Sequence, residues 1–139
     1  MKKLSKIINS FPHANVLVIG DLILDEYIRG EVERISPEAP VPVVWARDRR
    51  FVPGGAANVA NNLRSLGAKV SLAGVVGQDD YRQVMLKELR SRGVDTIAVI
   101  EEKGRKTTLK TRIFARHQQV VRVDWEDVEP IKNLTQERL

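Results

Sequence analysis

The 139-residue sequence has no cysteine, which excludes a disulfide framework and any thiolate metal centre. Aromatic residues make up 5% of it, too few to lay out a stacking platform for single-stranded nucleic acid. No run approaches the ~18 apolar residues that a membrane span needs. The best candidate, from Ala14 to Leu24, is broken by Asn15 and Asp21. The opening MKKLSKIINSF starts basic but has no apolar stretch long enough for a secretory signal, and reads as a short amphipathic helix. Loops that announce a chemistry are missing too: no G-x-G-x-x-G, no G-x-x-x-x-G-K-[ST] and no G-x-S-x-G occurs. Gly104 to Thr107 resembles the tail of a phosphate loop but lacks the upstream glycine and the strand-to-helix setting. No His, Asp or Glu cluster has metal-ligand spacing, and His13 and His117, without a partner acid, read as turn residues.

What remains is the composition of one ordinary globular domain, 42% hydrophobic and 29% charged. The net charge is +5, from 23 basic and 18 acidic residues, with small clusters at 47–50 and 103–106. With so few aromatics, that surplus suits a small phosphorylated ligand better than a nucleic acid.

Val16 to Ile19 is a continuous apolar run ended by Gly20 and Asp21, the pattern of a strand buried on both faces of a parallel sheet. Residues 70–76 and 96–100 read the same way. Between them lie two helices. The first spans about 56–66, with Val59, Leu63 and Leu66 on its inner stripe and Gly67 as its stop. The second is capped by Asp79, turns Met85, Leu86 and Leu89 inward and ends at Gly93. Strand and helix alternating at this spacing predict right-handed βαβ units.

Four further segments are strand-like but polar: 26–34, 41–51, 107–114 and 119–124. Pro37, Pro40 and Pro42 suit an edge or an exposed turn. From Thr107 to Phe114 the chain alternates, with Leu109, Thr111 and Ile113 on one side and Thr108, Lys110, Arg112 and Phe114 on the other. These pieces predict a small, half-exposed second sheet. Glu101, Glu102 and Lys103 read as a loop, and the closing NLTQERL as a helix start capped by Thr135. A chain ending there is expected to be a piece of a longer protein.

The stretch PGGAANVANN at 53–62 says most about chemistry. Two glycines open a helix whose first turn carries Asn58, so a polar ligand can approach backbone N–H groups at the positive helix end. The plain alternative is a tight turn with Asn58 exposed. Asp21, at the carboxyl end of a parallel strand, either accepts hydroxyl protons from a ligand or merely turns the chain. Lys110 and Arg112 share a strand face, with Arg116 and Arg122 nearby if a hairpin forms; that face either grips phosphate or is simply solvated.

Taken together, GDLILDEYIRGEVERISPEAPVPVV (20–44), PGGAANVANNLRSLGA, GVVGQDD and TTLKTRIFARHQQVVRVDWE (107–126) resemble the ribokinase-like (PfkB) carbohydrate kinases. RISPEAPVPVV and RHQQVVRVD are narrower, and resemble the kinases of heptose 7-phosphate. The resemblance covers nearly all of 14–128. It implies an α/β sandwich with a β-sheet lid (strands about 26–51 and 106–124), a cytoplasmic enzyme using ATP and Mg²⁺, and a homodimer through the lid. It makes Asp21, Gly54, Gly55 and Asn58 sugar ligands, and Lys110 and Arg112, with Arg122 and Asp124 behind them, candidates for the sugar phosphate. The family's G-A-G-D-like motif, which supplies its anion hole and base, does not occur here. The chain alone is therefore expected to bind no nucleotide and to be inactive. The competing readings are a non-enzymatic dimerisation module, another PfkB-type sugar kinase and, least in keeping with composition, a nucleic-acid binder; no membrane partner is expected.

Overall fold

Apolar runs too short for helices pair side by side, and polar alternating runs form a separate layer. The computed structural model of the chain describes residues 2–139, with side chains from residue 4 onward. In chain order the elements are α1 (Lys2–Ser10), β1 (Asn15–Ile19), β2 (Leu22–Ile35), β3 (Pro42–Gly54), α2 (Gly55–Ser65), β4 (Lys69–Gly77), α3 (Asp80–Ser91), β5 (Asp95–Glu102), β6 (Thr108–Ala115), β7 (Gln118–Trp125) and α4 (Asn133–Gln136). A 3-10 turn at Phe11–His13 precedes β1. Strands β1, β4 and β5 form an all-parallel sheet in the order β1-β4-β5. The α2 and α3 helices supply Ala57, Ala60, Met85 and Leu89 to a core shared with Val18, Val70, Leu72 and Val76.

Both helices begin and end where the pattern predicts. Asp79 caps α3 by accepting from the Arg82 amide at 3.0 Å, and Gly67 and Gly93 follow the helices at φ 97° and 77°. The inner stripe of α2 differs. Ala57 and Ala60 are fully buried, Leu63 is partly buried, and Val59 and Leu66 are 50% and 57% exposed. Small side chains let this helix lie close to the strands, so its alanines, not its larger residues, meet the sheet.

The second sheet has the order β3-β2-β6-β7, with β2 and β6 parallel at its centre and antiparallel pairs outside. Its strands are longer than the pattern suggested: β2 starts at Leu22, directly after Asp21, and β3 runs through Gly54. Pro42 opens the edge strand β3, where its missing N–H is harmless. Leu22, Leu24 and Glu26 are buried, as are Leu109 and Thr111. The buried Glu26 carboxylate accepts from Arg49 Nε and Thr111 Oγ1, both at 2.5 Å, and so joins β2, β3 and β6. A buried carboxylate is tolerable only when its oxygens are satisfied in this way.

Two local expectations are corrected. Glu101 and Glu102 close β5 instead of forming a loop, Glu101 pairing with Arg82 of α3 at 3.0 Å. Glu102, 4% exposed, accepts from Arg105 Nε at 2.8 Å and from the Lys132 amide at 2.9 Å. Thr135 lies inside α4, whose N-cap is Lys132, and spends its hydroxyl on Glu102 instead of capping the helix. Thr135, then Arg105 and the Lys132 amide, hold the Glu102 carboxyl down at about 2. This cluster clips the C-terminal segment to the body.

Candidate functional site

The two sheets meet at the turn between β1 and β2. There the Asp21 carbonyl accepts from the Ala56 amide at 2.9 Å, and Leu22 bridges to Gly55. Gly55 has φ 55°, and a Cβ on it would stand 2.5 Å from that carbonyl oxygen. At Gly54 a Cβ would instead run into the carboxylate of Asp25. The amides that open α2 are thus not all free: the Ala56 N–H is already used by the turn it was expected to leave bare. What the glycine pair provides is close approach, of Asp21's backbone on one side and Asp25's side chain on the other.

On β2, Leu22, Leu24 and Glu26 are buried while Ile23, Asp25 and Tyr27 alternate with them on the open face. Asp25 accepts from Arg112 Nη1 at 2.5 Å, and Arg112 stays more basic than usual because of that bond. In register, Asp25 faces Lys110 and Lys110 faces Asp124. Lys110 Nζ donates to Asp124 at 3.2 Å and to Glu126 at 3.3 Å, which raises its pKa, with Asp124 the larger influence. Arg122 Nε donates to Asp124 at 2.9 Å. Partial desolvation would push the Asp124 carboxyl up, but the bonds from Lys110 and Arg122 outweigh it and hold the group low. Asp25, Lys110, Arg112 and Asp124 keep 18%, 19%, 22% and 23% of their side-chain surface open, and Glu126 and Arg122 keep 39% and 51%, so a ligand can reach each charge of this network.

A cleft of about 610 Å³ lies between the sheets, lined by Asp21, Gly74, Lys106, Lys110, Glu126 and Asp127 among others. Of the residues that sequence singled out, Asp21 and Lys110 line this cleft. Gly54, Gly55, Arg112, Arg122 and Asp124 do not line it: Gly54 and Arg112 meet at Asp25, and Arg122 reaches the cleft residue Lys110 through Asp124. Asn58 is exposed on the first turn of α2 and does not line the cleft. Arg116 lies in the β6–β7 turn at φ 54°, its amide bonded to the Gly30 carbonyl. Sequence reasoning passed over Asp25, Tyr27 and Glu126. For the first two a signal existed, since the alternation of β2 puts them on the same side as the cations of β6.

For ATP and magnesium the fit is poor. Among the described residues no group of three His, Asp or Glu side chains is placed to hold a metal ion. The glycine-led start of α2 has its second residue's amide occupied, and the neighbouring carboxylates Asp21 and Asp25 would repel a triphosphate. No helix among the described residues is long and apolar enough to cross a membrane.

A parallel α/β body with a separate mixed sheet over the strand ends is the architecture of ribokinase-like sugar kinases. A putative ribokinase from Agrobacterium tumefaciens superposes with a TM-score of 0.67 at 26% identity, covering 82% of this chain and 36% of that one. An Arabidopsis thaliana ribokinase solved with ribose and ATP shares the fold, with a TM-score of 0.64 at 18% identity over 81% of this chain and 35% of that one. Residues 13–138 match the pfkB family of carbohydrate kinases, and the chain belongs to that family. The bifunctional protein HldE of Helicobacter pylori strain J99 is 56% identical over 116 residues, 84% of this chain and 25% of its own length. That of Pelobacter propionicus is 48% identical over 138 residues, 99% of this chain and 28% of its own. The chain thus spans about a quarter of these relatives.

Proposed function

We propose that this chain forms the sugar-binding cleft and strand lid of a cytoplasmic, ATP-dependent kinase of D-glycero-D-manno-heptose 7-phosphate. The product would be the 1,7-bisphosphate, on the route to ADP-heptose and the lipopolysaccharide core. The observation that carries this reading is the Asp25 junction, one carboxylate held between Gly54 of the helix start and Arg112 of the lid. It ties the glycine pair, read as the sugar end, to the cationic face, read as the phosphate end. In this reading Asp21 and Asp25 accept sugar hydroxyls and Gly54 and Gly55 let the ring lie close, while Asn58, exposed outside the cleft, makes no contact with the sugar. Lys110, Arg112 and Arg122 make the lid side electropositive, with Asp124 orienting Lys110 and Arg122, and Asp25 orienting Arg112. The chain is assigned binding, not the phosphoryl transfer, because no G-A-G-D-like motif occurs in it.

The test is calorimetric titration of the chain with heptose 7-phosphate. Wild-type protein should bind, and Asp25→Asn should bind at least tenfold more weakly. Absence of binding by the wild type, or an Asp25→Asn variant that binds equally well, would refute the reading. A second role, pairing of two copies through the lid, is favoured by one observation: around the β2–β3 turn and along edge strand β3, Ile35, Val41 and Trp45 are 60%, 51% and 57% exposed.

A further inference from the structure

We infer that the phosphate-bearing end of the ligand is read by one transverse row of the lid, Arg50, Tyr27, Arg112 and Arg122, and not by Lys110. This rests on the sugar reading of the cleft given above. The row is a consequence of register. Arg50 of β3 lies opposite Tyr27 of β2, Tyr27 opposite Arg112 of β6, and Arg112 opposite Arg122 of β7. Four strands therefore set three guanidinium groups and one ring side by side across the sheet. Like charges directly opposed on neighbouring strands, as Arg112 and Arg122 are, weaken a sheet unless an anion joins them.

The ring of Tyr27 holds the guanidinium carbons of Arg50 and Arg112 at 5.7 and 5.5 Å from its centroid. Such contacts position a guanidinium over an aromatic face while its N–H fork stays available to phosphate oxygens. Phe114 stacks on Tyr27 at 6.2 Å and steadies it. Arg112 spends Nη1 on Asp25 and Arg122 spends Nε on Asp124, while Arg50 has no carboxylate partner among the described residues. Lys110 is placed differently. It lies in the adjacent row, between Asp25 and Asp124 in register, with both Asp124 and Glu126 on its ammonium group. A dianion there would meet carboxylates. Tyr27 lies two positions beyond Asp25 on β2, roughly 7 Å away, which is about the span from a ring hydroxyl of a sugar to a phosphate on its exocyclic arm.

The experiment titrates wild type, Arg50→Gln, Arg122→Gln and Arg47→Gln with heptose 7-phosphate, unphosphorylated heptose and inorganic phosphate. Calorimetry is read alongside the arginine Nε–H signals in NMR spectra. Arg47 sits on the same lid, paired with Glu31 and stacked on Trp45, and serves as the control for lost charge. Arg50→Gln and Arg122→Gln should each weaken heptose 7-phosphate about tenfold or more and leave unphosphorylated heptose within about twofold; tenfold corresponds to about 1.4 kcal/mol. Equal losses for both sugars, or a matching loss in Arg47→Gln, would overturn the row. So would wild-type protein that binds the two sugars equally, although the cleft reading would then survive. Should neither sugar bind while inorganic phosphate still shifts the Arg50 and Arg122 signals, the row stands and the cleft reading falls. Silence toward all three ligands removes both.

Discussion

Alanine at Gly55 and alanine at Gly54 should damage different properties, although the two positions are adjacent. Gly55 sits at φ 55°, where an L side chain costs about 1–2 kcal/mol. Its new Cβ would also stand 2.5 Å from the Asp21 carbonyl oxygen, a backbone atom pinned by the Ala56 amide at 2.9 Å. Moving that carbonyl strains or breaks the hydrogen bond, for about a further 1 kcal/mol. The total is about 2–3 kcal/mol. With a urea slope of about 2 kcal/mol per molar, the unfolding midpoint of Gly55→Ala should fall by about 1–1.5 M. Gly54 is extended, at φ −117°, so alanine there carries no backbone penalty. Its Cβ meets the Asp25 carboxylate, the end of a side chain that can swing away from Arg112. Both partners are part-exposed, so losing their pair should cost only about 1 kcal/mol. Binding is another matter, because Asp25 and Arg112 would both leave their places. Gly54→Ala should lose at least about tenfold in affinity for heptose 7-phosphate while its midpoint stays within about 0.5 M of wild type. Urea titrations followed by circular dichroism, beside calorimetric binding, check both halves. A Gly55→Ala protein of unchanged midpoint, or a Gly54→Ala protein of unchanged affinity, would refute the assignment of backbone to one glycine and side chain to the other.

Asp79 uses one oxygen to cap α3 and the other to accept from the Thr107 amide at 2.8 Å. Asp79→Ala should therefore cost about 2–4 kcal/mol in urea unfolding, whereas Asp79→Asn, which keeps an accepting oxygen for the cap, should cost about half as much. The Glu102 carboxyl is depressed from 4.5 to about 2 in the folded chain, so its stabilising contribution is full above about pH 4.5 and is lost as the pH falls toward 2. The protection factors of residues 126–136 against hydrogen exchange should fall over that window in wild type, and in Glu102→Gln they should already be low at neutral pH. If the β3 edge pairs two copies, Val44→Lys should turn a dimer into a monomer in sedimentation velocity without weakening sugar binding.

Elements decided by neighbours in sequence were legible, and those decided by register were not. The strands β1, β4 and β5, the Asp79 cap and the glycines that end α2 and α3 each carry their cause within a few residues, but the expected burial of β1 and β5 on both faces is corrected: Leu17, Ile19 and Ile97 are 59%, 62% and 89% exposed. Which stripe of α2 is buried depends on how near the strands lie, a property of the packed pair. Hence Val59 looked internal, while Ala57 and Ala60 are. Glu102 read as a loop residue because its partners Lys132 and Thr135 are about thirty positions away.

The lid network shows the same limit at the site itself. Lys110 and Arg112 are equivalent by alternation, two cations on one strand face. Pairing separates them. Lys110 meets Asp124 and Glu126 across the hairpin, at sequence distances of 14 and 16, while Arg112 meets Asp25 at a distance of 87. No local pattern contains that last number, because it depends on β2 and β6 lying parallel with Tyr27 opposite Arg112. A one-residue slip of that register would turn Asp25 and Arg112 to opposite faces and bury one of them against the helices. The hydrophobic alternation of Leu22 and Leu24 on β2 and Leu109 on β6 forbids the slip, so the core face of the lid sets the chemistry of its open face.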